Sequence, residues 1–375
     1  MNLSFITTMA SHAWGGSEEL WLKLAYDALE EKHEVECSVF NWGELPEKIK
    51  VLKNAGAIIK KRSRFMYPEF YRKPWGKLKE YTIVQNQLAT HLKSKDFALI
   101  NTGGFCDLAV DAFRLPMLQT NTRYSIVIHA NPETTYLNTR KIEEIIEVCK
   151  KAYKVYFVSE RLKEIAIRQT GHLFPNGEVI INPVNMSVTG ILPYPKDKTI
   201  HLACVGLLSA KVKGQAILLQ CLSDKQWKQR NWHLNIYGKG NDLNYFKLLA
   251  KKFDIKDKVS FHGYVNDIRN DIWANNHILV MPSYYEGLPI ALVEAMLSGR
   301  TAIVTDVGGN AELLNDNVTG FIAKAANKGA FQEALERAWL KKQSWEQMGK
   351  VAFNHATDYF YNSSYAKDII DILPK

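Results

Sequence analysis

The sequence contains no apolar run that approaches the roughly 20 residues a membrane-spanning helix needs. Its first residues, 1–6, lack a basic leader, a long apolar stretch and a small-residue cleavage site, and they predict a β-strand instead of a signal peptide. The five cysteines are widely spaced and form no Cys-x-x-Cys pair, which argues against a zinc site or a redox motif. We therefore expect reduced thiols and a cytoplasmic location.

The size and charge of the chain narrow its architecture and its partners. A length of 375 residues suits two domains of ordinary size. Hydrophobic residues make up 46% and charged residues 23%, as in soluble globular proteins. The net charge of +9 favours negatively charged partners, which include phosphates, nucleic acid and an anionic membrane face.

Short apolar runs alternate with helical patterns along most of the chain, which predicts parallel sheets covered by helices. The alternation breaks at Pro183–Lys198, a proline-rich segment that we interpret as a linker. We therefore predict an α/β fold with two doubly wound, Rossmann-like domains, residues 1–190 and 191–355. A ligand is expected at the carboxyl ends of the strands, in a cleft between the two domains. The predicted strands are Leu3–Thr8, Val35–Phe40, Ala98–Asn101, Ile126–His129, Val155–Val158, Val179–Ile181, His201–Val205, His233–Tyr237, Val259–His262, Ile278–Met281 and Thr301–Thr305; the predicted helices are Ser17–Lys32, Lys213–Leu222, Leu243–Lys252 and Ile290–Leu297.

Residues 48–80 are strongly basic, with eleven Lys or Arg against two acids, and aromatic residues are interleaved with the charges. One interpretation is a solvated surface with a few packed aromatics. The other is a surface that docks on an anionic membrane or on a negatively charged acceptor. Nucleic acid is not expected as a partner, because no recognised binding module surrounds the stretch.

The segment Ser283–Met296 carries the most informative pattern, because it leads from a predicted strand through a turn into a helix. Gly287 lets the backbone approach a ligand, and Pro289 suits the first helical position, where its missing N–H is not needed. The free N–H groups of that first turn form an anion site suited to a diphosphate. Glu286 lies on the loop. Glu294 lies inside the apolar helix, where a buried carboxylate needs a partner such as a pair of ribose hydroxyls.

The spacing from Glu286 to Glu294 resembles the Glu-x7-Glu motif of retaining glycosyltransferases of family four, which have the GT-B fold. The resemblance continues through residues 298–300 and 305–312 and ends near Gly320. It covers both halves of the chain and is weaker in the first. It implies that Glu286 holds hydroxyls of a donor sugar and that Glu294 holds the ribose of the nucleotide. It also implies that residues 356–375 form a last helix that returns to the first domain.

A second match to the family opens the second domain, at Val205–Gly214. The family has Gly-Arg followed by Lys-Gly, and both basic residues bind the donor diphosphate. Lys213 matches the lysine, but Leu207 stands where the arginine is expected, and the loss of that cation should weaken stabilisation of the leaving diphosphate. Lys211 is the candidate substitute, although lysine does not reproduce the two-pronged geometry of arginine.

Two further matches lie in the first domain. Gly15 and Gly16 turn the chain before a helix, with Ser17 as candidate N-cap, and resemble the glycine loop that faces the donor phosphates. His129 ends a predicted strand, where a histidine is more often structural. In the family, the matching histidine contacts the donor sugar. Gly103 and Gly104 follow another predicted strand, on the expected acceptor side.

Two motifs are missing from the sequence. No two aspartates are spaced Asp-x-Asp, so the usual metal-bound diphosphate site is absent, and we expect neither a metal nor a cofactor. Residues 238–240 start like a dinucleotide fingerprint but lack its third glycine, which argues against an oxidoreductase.

The sequence therefore predicts a retaining, metal-independent glycosyltransferase. Its partners would be a nucleotide-sugar donor, a saccharide or lipid-linked acceptor of the kind used in polysaccharide biosynthesis, and an anionic membrane surface at residues 48–80. Two alternatives stay open: a nucleotide-sugar epimerase of the same fold, and a degenerate subunit that only binds a nucleotide-sugar or a glycan. The predicted catalytic residues are Glu286 and His129, the donor-binding residues are Glu294, Lys213, Lys211, Gly15, Gly16, Gly206, Gly287, Leu288 and Pro289, and the acceptor-side residues are Gly103 and Gly104.

Overall fold

The computed structural model describes residues 1–9, 13–63, 74–184, 186, 188, 190–362 and 367–374, without the side chains of 74–81 and 362. The chain forms two compact units, Met1–Pro183 with Ser364–Lys375, and Val184–Ser363. The first boundary thus falls at the start of the predicted linker, before the predicted limit of 190. Residues 356–362, which we assigned to the returning helix, belong to the second unit.

The first unit is built on a parallel sheet of seven strands with the order β3-β2-β1-β4-β5-β6-β7. The strands are β1 Asn2–Thr7, β2 Glu34–Phe40, β3 Ile58–Arg62, β4 Phe97–Thr102, β5 Arg123–Ile128, β6 Val155–Phe157 and β7 Gly177–Val179; the helices are α1 Glu18–Glu30, α2 Glu47–Asn54, α3 Pro74–Leu92, α4 Asp111–Gln119, α5 Thr139–Lys151 and α6 Glu160–Thr170. Strand β4 is buried along its whole length, as expected of a central parallel strand with both faces covered.

The second unit contains a parallel sheet of six strands with the order β10-β9-β8-β11-β12-β13. Its strands are β8 Ile200–Val205, β9 Trp232–Tyr237, β10 Val259–Gly263, β11 Ile278–Met281, β12 Thr301–Thr305 and β13 Phe321–Ala323; its helices are α7 Gln215–Leu222, α8 Lys225–Lys228, α9 Leu243–Lys252, α10 Ile290–Leu297, α11 Asn310–Leu313, α12 Lys328–Leu340 and α13 Trp345–Thr357. Strands β11 and β12 are fully buried.

Both sheets share one topology, in which the chain starts at a central strand, runs to one edge, and then continues on the other side. The direction reverses between β1 and β4 in the first unit and between β8 and β11 in the second. In open parallel sheets, ligands bind beyond the carboxyl ends of the strands at this reversal. The residues that follow β1, β4, β8 and β11 are therefore the first place to look for a site.

The predicted elements are confirmed, with ends that differ by a few residues. The sequence patterns did not reveal two of the edge strands, β3 and β13. Strand β3 lies within the basic stretch 48–80, where Lys60 and Lys61 are exposed and Arg62 is buried. Of the other residues in that stretch, 64–73 lie outside the described part, and so does the side chain of Trp75.

Arg300 fixes the linker to the second unit. Its fully buried guanidinium donates to the main-chain oxygens of Leu192 and Pro193, at 3.2 and 2.7 Å, and to those of Trp273 and Asn276. Carbonyls of irregular backbone that would otherwise be buried without a donor are satisfied in this way. Residues 192 and 193 of the predicted linker are thus anchored to the second unit.

The last described helix, α14 Ile369–Ile372, packs against α1 of the first unit. Lys23 on α1 contacts the Asp368 carboxylate at 3.1 Å just before α14 begins. Across the described residues, no helix combines the length and apolar character that spanning a membrane requires.

Candidate active site

Two glycines bring the loops that follow β8, β11 and β12 of the second unit close together. Gly214 precedes α7 with φ +62°, and a Cβ atom at that position would lie 2.0 Å from the carbonyl oxygen of Pro282. Gly308 has φ +51°, and its Cβ would lie 2.2 Å from the carbonyl oxygen of Glu286. Only glycine tolerates both the left-handed backbone and the close approach. Replacing either glycine by another amino acid would therefore force these strand-end loops to move.

Lys213 and Glu286 meet at this point, although 73 residues separate them in the sequence. The ammonium of Lys213 donates to both carboxylate oxygens of Glu286, at 2.6 and 2.7 Å. Ser283 adds a hydroxyl bond of 2.6 Å to the same carboxylate. Glu286 is 8% exposed. A predicted phosphate-binding cation and a predicted sugar-binding carboxylate thus form one partly buried ion pair.

Helix α10 begins immediately after this loop. Pro289 occupies the N-cap position, one residue before the first helical position that the sequence predicted for it. Leu288 is buried, and the carbonyl of Gly287 accepts a 2.8 Å bond from the amide of Gly309. Glu294 lies on α10 and is 5% exposed, as expected for a carboxylate inside an apolar helix.

The loop after β8 shows how the sequence departs from the family pattern. Leu207 exposes 42% of its surface at the position expected to hold arginine. Lys211 is also exposed. Gly206 lies against the side chain of Lys213, because a Cβ there would lie 3.5 Å from the lysine Cε. The loop therefore presents an apolar side chain to solvent beside the Lys213 stem.

In the first unit, the predicted glycine turn leads into α1. The carbonyls of Gly15 and Gly16 accept from the amides of Glu18 and Glu19, at 3.0 and 3.4 Å. Ser17 stands at the N-cap position, but its side chain makes no capping bond, contrary to the prediction. The first turn contains instead the buried carboxylate of Glu18, which is 2% exposed.

The Glu18 carboxylate receives three side-chain bonds. Thr7 and Asn101 donate to Oε1, at 2.9 and 3.2 Å, and the indole of Trp21 donates to Oε2 at 2.8 Å. Burial raises the pKa of Glu18 to about 7, because desolvation outweighs these bonds. Glu18 is not among the site residues predicted from the sequence, although it lies directly beside the glycine turn.

His129 lies at the end of β5 and is 6% exposed. Its Nε2 lies 2.6 Å from Oδ1 of Asn101, the side chain that also bonds to Glu18. Burial lowers the pKa of His129 to about 3, so the imidazole is neutral at physiological pH. The structure therefore joins His129 to Glu18 through Asn101.

Arg62 is buried beneath the same cluster. Its guanidinium donates to the carbonyl of Thr7 and, at 3.3 Å, to that of Ser38, and it stacks over the ring of Phe40. Burial lowers the pKa of Arg62 to about 9, and the nearby charge of Glu18 opposes that shift. One of the eleven cations of the basic stretch is thus an internal residue and cannot serve a docking surface.

Gly103 and Gly104 were predicted to lie on the acceptor side. The amide of Gly103 donates to the hydroxyl of Thr8 at 3.0 Å, and the amide of Gly104 donates to the Asp107 carboxylate at 3.2 Å. Thr8 and Asp107 are also bonded to each other, at 2.6 Å. Both glycine amides are thus engaged within the unit.

Within the described ranges, no group of three or more His, Cys, Asp or Glu side chains has the arrangement of a metal site. The residues that sequence reasoning missed are Ser283, Glu18 and Asn101. Ser283 and Asn101 lie at or near strand ends, Glu18 directly follows the predicted glycine turn, and each is close in sequence to a predicted site residue. That proximity is a signal that could have found them.

Comparisons with known proteins bear on the fold and on residues 193–355. Residues 193–355 match the family model described as glycosyl transferases group 1. A protein of Haemophilus influenzae named an uncharacterized glycosyltransferase is 28% identical over 170 residues, which cover 44% of this chain and 48% of that protein. The UDP-Gal:alpha-D-GlcNAc-diphosphoundecaprenol alpha-1,3-galactosyltransferase of Escherichia coli is 33% identical over 97 residues, covering 26% of this chain and 24% of its own. The chain thus spans less than half the length of the curated relatives it matches.

Solved structures resemble the whole chain. Anabaena HepE in complex with UDP-glucose superposes with a TM-score of 0.74 at 17% identity, over 99% of this chain and 97% of that one. Staphylococcus aureus TarM, in a complex that includes UDP, has a TM-score of 0.72 at 13% identity, over 99% and 98%. The fold is therefore GT-B, as the sequence predicted, and residues 193–355 are similar to the glycosyl transferases group 1, in agreement with the resemblance to family four.

Proposed function

We propose that this chain transfers a sugar from a nucleotide-sugar donor to a saccharide or lipid-linked acceptor. The observation that carries the proposal is the contact between Lys213 and Glu286 at the carboxyl ends of β8 and β11. The ammonium of Lys213 suits a phosphate group, and the carboxylate of Glu286 suits sugar hydroxyls. The pair also lies within the residues that match the group 1 family.

The proposed roles follow from charge and position. Lys213 and the amides at the start of α10 neutralise the diphosphate, while Glu286 accepts hydrogen bonds from the donor sugar. Glu294 accepts hydrogen bonds from the ribose hydroxyls, which are suitable partners for a buried carboxylate. His129 of the first unit accepts a hydrogen bond from the donor sugar.

We propose further that the transfer needs no metal and retains the anomeric configuration. Lys213 and the start of α10 supply positive charge where the leaving diphosphate develops negative charge, which a metal ion would otherwise do. Retention is inferred from the resemblance to family four. The configuration would be retained without a covalent enzyme intermediate if the diphosphate departs and the acceptor attacks on the same face of the sugar.

The relatives suggest which donors and acceptors to test first. HepE was crystallised with UDP-glucose, and the E. coli relative is named for a UDP-galactose donor and a diphosphoundecaprenol-linked acceptor. We therefore propose a UDP-sugar donor, with a lipid-linked or free saccharide as the acceptor.

A donor screen tests the proposal. The purified chain is incubated with UDP-, GDP-, ADP- and TDP-sugars, with and without a lipid-linked saccharide, and with a chelator in parallel. We expect release of one nucleoside diphosphate that survives chelation, and a product with the donor's anomeric configuration. Loss of release on chelation would contradict metal independence, and an inverted product would contradict retention.

Two rival functions are separated in the same screen. An epimerase would give an isomeric nucleotide-sugar from the donor alone. A degenerate binding subunit, which the exposed Leu207 favours, would bind a nucleotide-sugar without turnover. Tighter donor binding by Leu207→Arg without turnover would support that second function.

We also propose that the exposed cations of residues 48–80 contact an anionic membrane. Lys60 and Lys61 lie on the edge strand β3 and are exposed, next to Ile58 at 55% exposure. Binding to anionic liposomes should be strong at low salt and weak at high salt. Equal binding to neutral liposomes would contradict this proposal.

A further inference from the structure

Three side chains in the first unit form a continuous hydrogen-bonded chain from α1 to the end of β5. Glu18 accepts from Asn101 at 3.2 Å, and Asn101 contacts His129 at 2.6 Å. Asn101 is fully buried, and the other two are 2% and 6% exposed. Water therefore has little access to compete with these bonds, and the geometry of each side chain depends on the next.

The surroundings of Asn101 determine which way its amide group points. Its nitrogen faces two acceptors, the carbonyl of Ser17 at 3.2 Å and the carboxylate of Glu18 at 3.2 Å. An amide oxygen in that place would meet both acceptors with no hydrogen between them. The NH₂ group must therefore face α1, and Oδ1 must face His129.

The orientation of Asn101 in turn selects the tautomer of His129. An amide oxygen only accepts, so the Nε2 atom that lies 2.6 Å from it must carry the proton. In a neutral imidazole the other nitrogen then carries a lone pair. That nitrogen, Nδ1, is buried and has no hydrogen-bond partner among the described residues.

We infer that Glu18 and Asn101 are positioning residues that hold His129 in its Nε2–H tautomer, so that Nδ1 acts as a fixed acceptor for a donor-sugar hydroxyl. The inference rests on the proposed function for the identity of the ligand. The tautomer itself follows from this network alone. A neutral acceptor is suited to a hydroxyl and unsuited to a phosphate, so His129 contributes to selection of the sugar and not to binding of the diphosphate.

The buried carboxylate explains why the arrangement is stable. Thr7 and Trp21 also donate to Glu18, so three donors converge on this carboxylate and hold it in place as the acceptor for the NH₂ group of Asn101. The pKa of His129, lowered to about 3, agrees with an imidazole that stays neutral while it is used.

Nitrogen NMR on protein labelled with ¹⁵N-histidine tests the tautomer directly. The signal of His129 is assigned by its loss in His129→Gln. At pH 8.5 Glu18 is ionised, because its pKa lies near 7. We expect a pyridine-like Nδ1 and a protonated Nε2. A protonated Nδ1 in the unaltered protein would overturn the inference.

Glu18→Gln should shift the tautomer of His129 in a defined direction. The indole of Trp21 can only donate, so the oxygen of the introduced amide turns to it and the new NH₂ group faces Asn101. Asn101 then gains by reversing, which presents its NH₂ to His129 and favours the Nδ1–H tautomer, while the Ser17 carbonyl opposes the reversal. We therefore expect the Nδ1–H form to be populated alongside the original form. An unchanged tautomer would refute the role of Glu18.

Two further variants control for general damage. Glu19→Gln changes the adjacent glutamate, which bonds to Trp14 and Lys48 instead of Asn101, and it should leave the tautomer unchanged. Asn101→Leu removes the amide and should release His129 into both tautomers. Circular dichroism confirms that each variant is folded. If Asn101→Leu does not fold, Glu18→Gln alone decides the outcome.

Kinetics separate this inference from the proposed function. Glu18→Gln should lower kcat about tenfold, as expected for one misplaced hydrogen bond in the transition state, and leave the Kd for UDP unchanged. If the tautomer is as inferred but no donor is turned over, the proposed function fails and the network stands. If sugar transfer occurs with a protonated Nδ1, the function stands and this inference fails.

Discussion

Replacing Glu286 by glutamine removes the negative charge that contacts Lys213 and leaves the shape of the side chain almost unchanged. The new amide oxygen still accepts from Ser283, so the loop after β11 keeps one of its bonds. The ammonium of Lys213 loses an ionic partner at 2.6 Å and becomes available to a diphosphate. We therefore expect Glu286→Gln to bind UDP more tightly than the unaltered protein.

The size of the effect follows from Coulomb's law. A carboxylate about 6 Å from a diphosphate charge costs about 1–3 kcal/mol at an effective dielectric constant of 20–80. Lys213 is 21% exposed, so the low end applies, and about 1 kcal/mol corresponds to roughly fivefold tighter binding. The same variant should bind UDP-glucose more weakly relative to UDP, because the charge that would accept from the sugar hydroxyls is gone.

Isothermal titration calorimetry with UDP and with UDP-glucose at fixed salt measures both changes. Lys213→Met should weaken UDP binding, the opposite of the change expected for Glu286→Gln. Glu333→Gln, which alters an exposed pair with Arg337 on α12, should change neither. Weaker binding of UDP to Glu286→Gln would refute the opposed roles assigned to Lys213 and Glu286.

Four further predictions concern single residues. Glu294→Gln should weaken UDP binding by about 1–3 kcal/mol in the same calorimetric assay, because a charged acceptor for the ribose is lost. Leu207→Arg should tighten UDP binding, which would be contradicted by unchanged affinity. Gly214→Ala should lower the free energy of unfolding by at least about 1 kcal/mol in a urea titration, because its Cβ would lie 2.0 Å from Pro282 at φ +62°. Glu18 has a pKa of about 7 in the folded protein and about 4.5 in the unfolded chain, so its contribution to stability is complete below pH 4.5 and declines as the pH rises to about 7. Relative to Glu18→Gln, the unaltered protein should lose up to about 3 kcal/mol of unfolding free energy over that interval. A difference between the two proteins that does not change with pH would contradict the assignment.

Local patterns were enough to predict most of the fold. Strands such as β11 are continuous apolar runs, which identify buried parallel strands without knowledge of their neighbours. Strand β3 was missed because Lys60, Lys61 and Arg62 give it the composition of a solvated loop. Its last residue, Arg62, is in fact buried against Phe40 and Thr7, and no local sequence pattern predicts a buried cation.

The sequence named some of the residues that meet at the candidate site but none of the bonds between them. Lys213 and Glu286 were both identified, yet their ion pair depends on two strands that meet only in the folded sheet. The link from Glu18 to His129 likewise needs β4 to lie between β1 and β5. Gly103 shows the converse, since its amide is engaged by Thr8, an interaction that a strand-end glycine cannot reveal in the sequence.

The proposed transfer of a sugar from a nucleotide-sugar is tested most directly by the donor screen. We predict that the purified chain releases one nucleoside diphosphate from its sugar donor in the presence of an acceptor, and that Glu286→Gln abolishes the release. Failure of every UDP-, GDP-, ADP- and TDP-sugar to bind or react would contradict the proposed transfer.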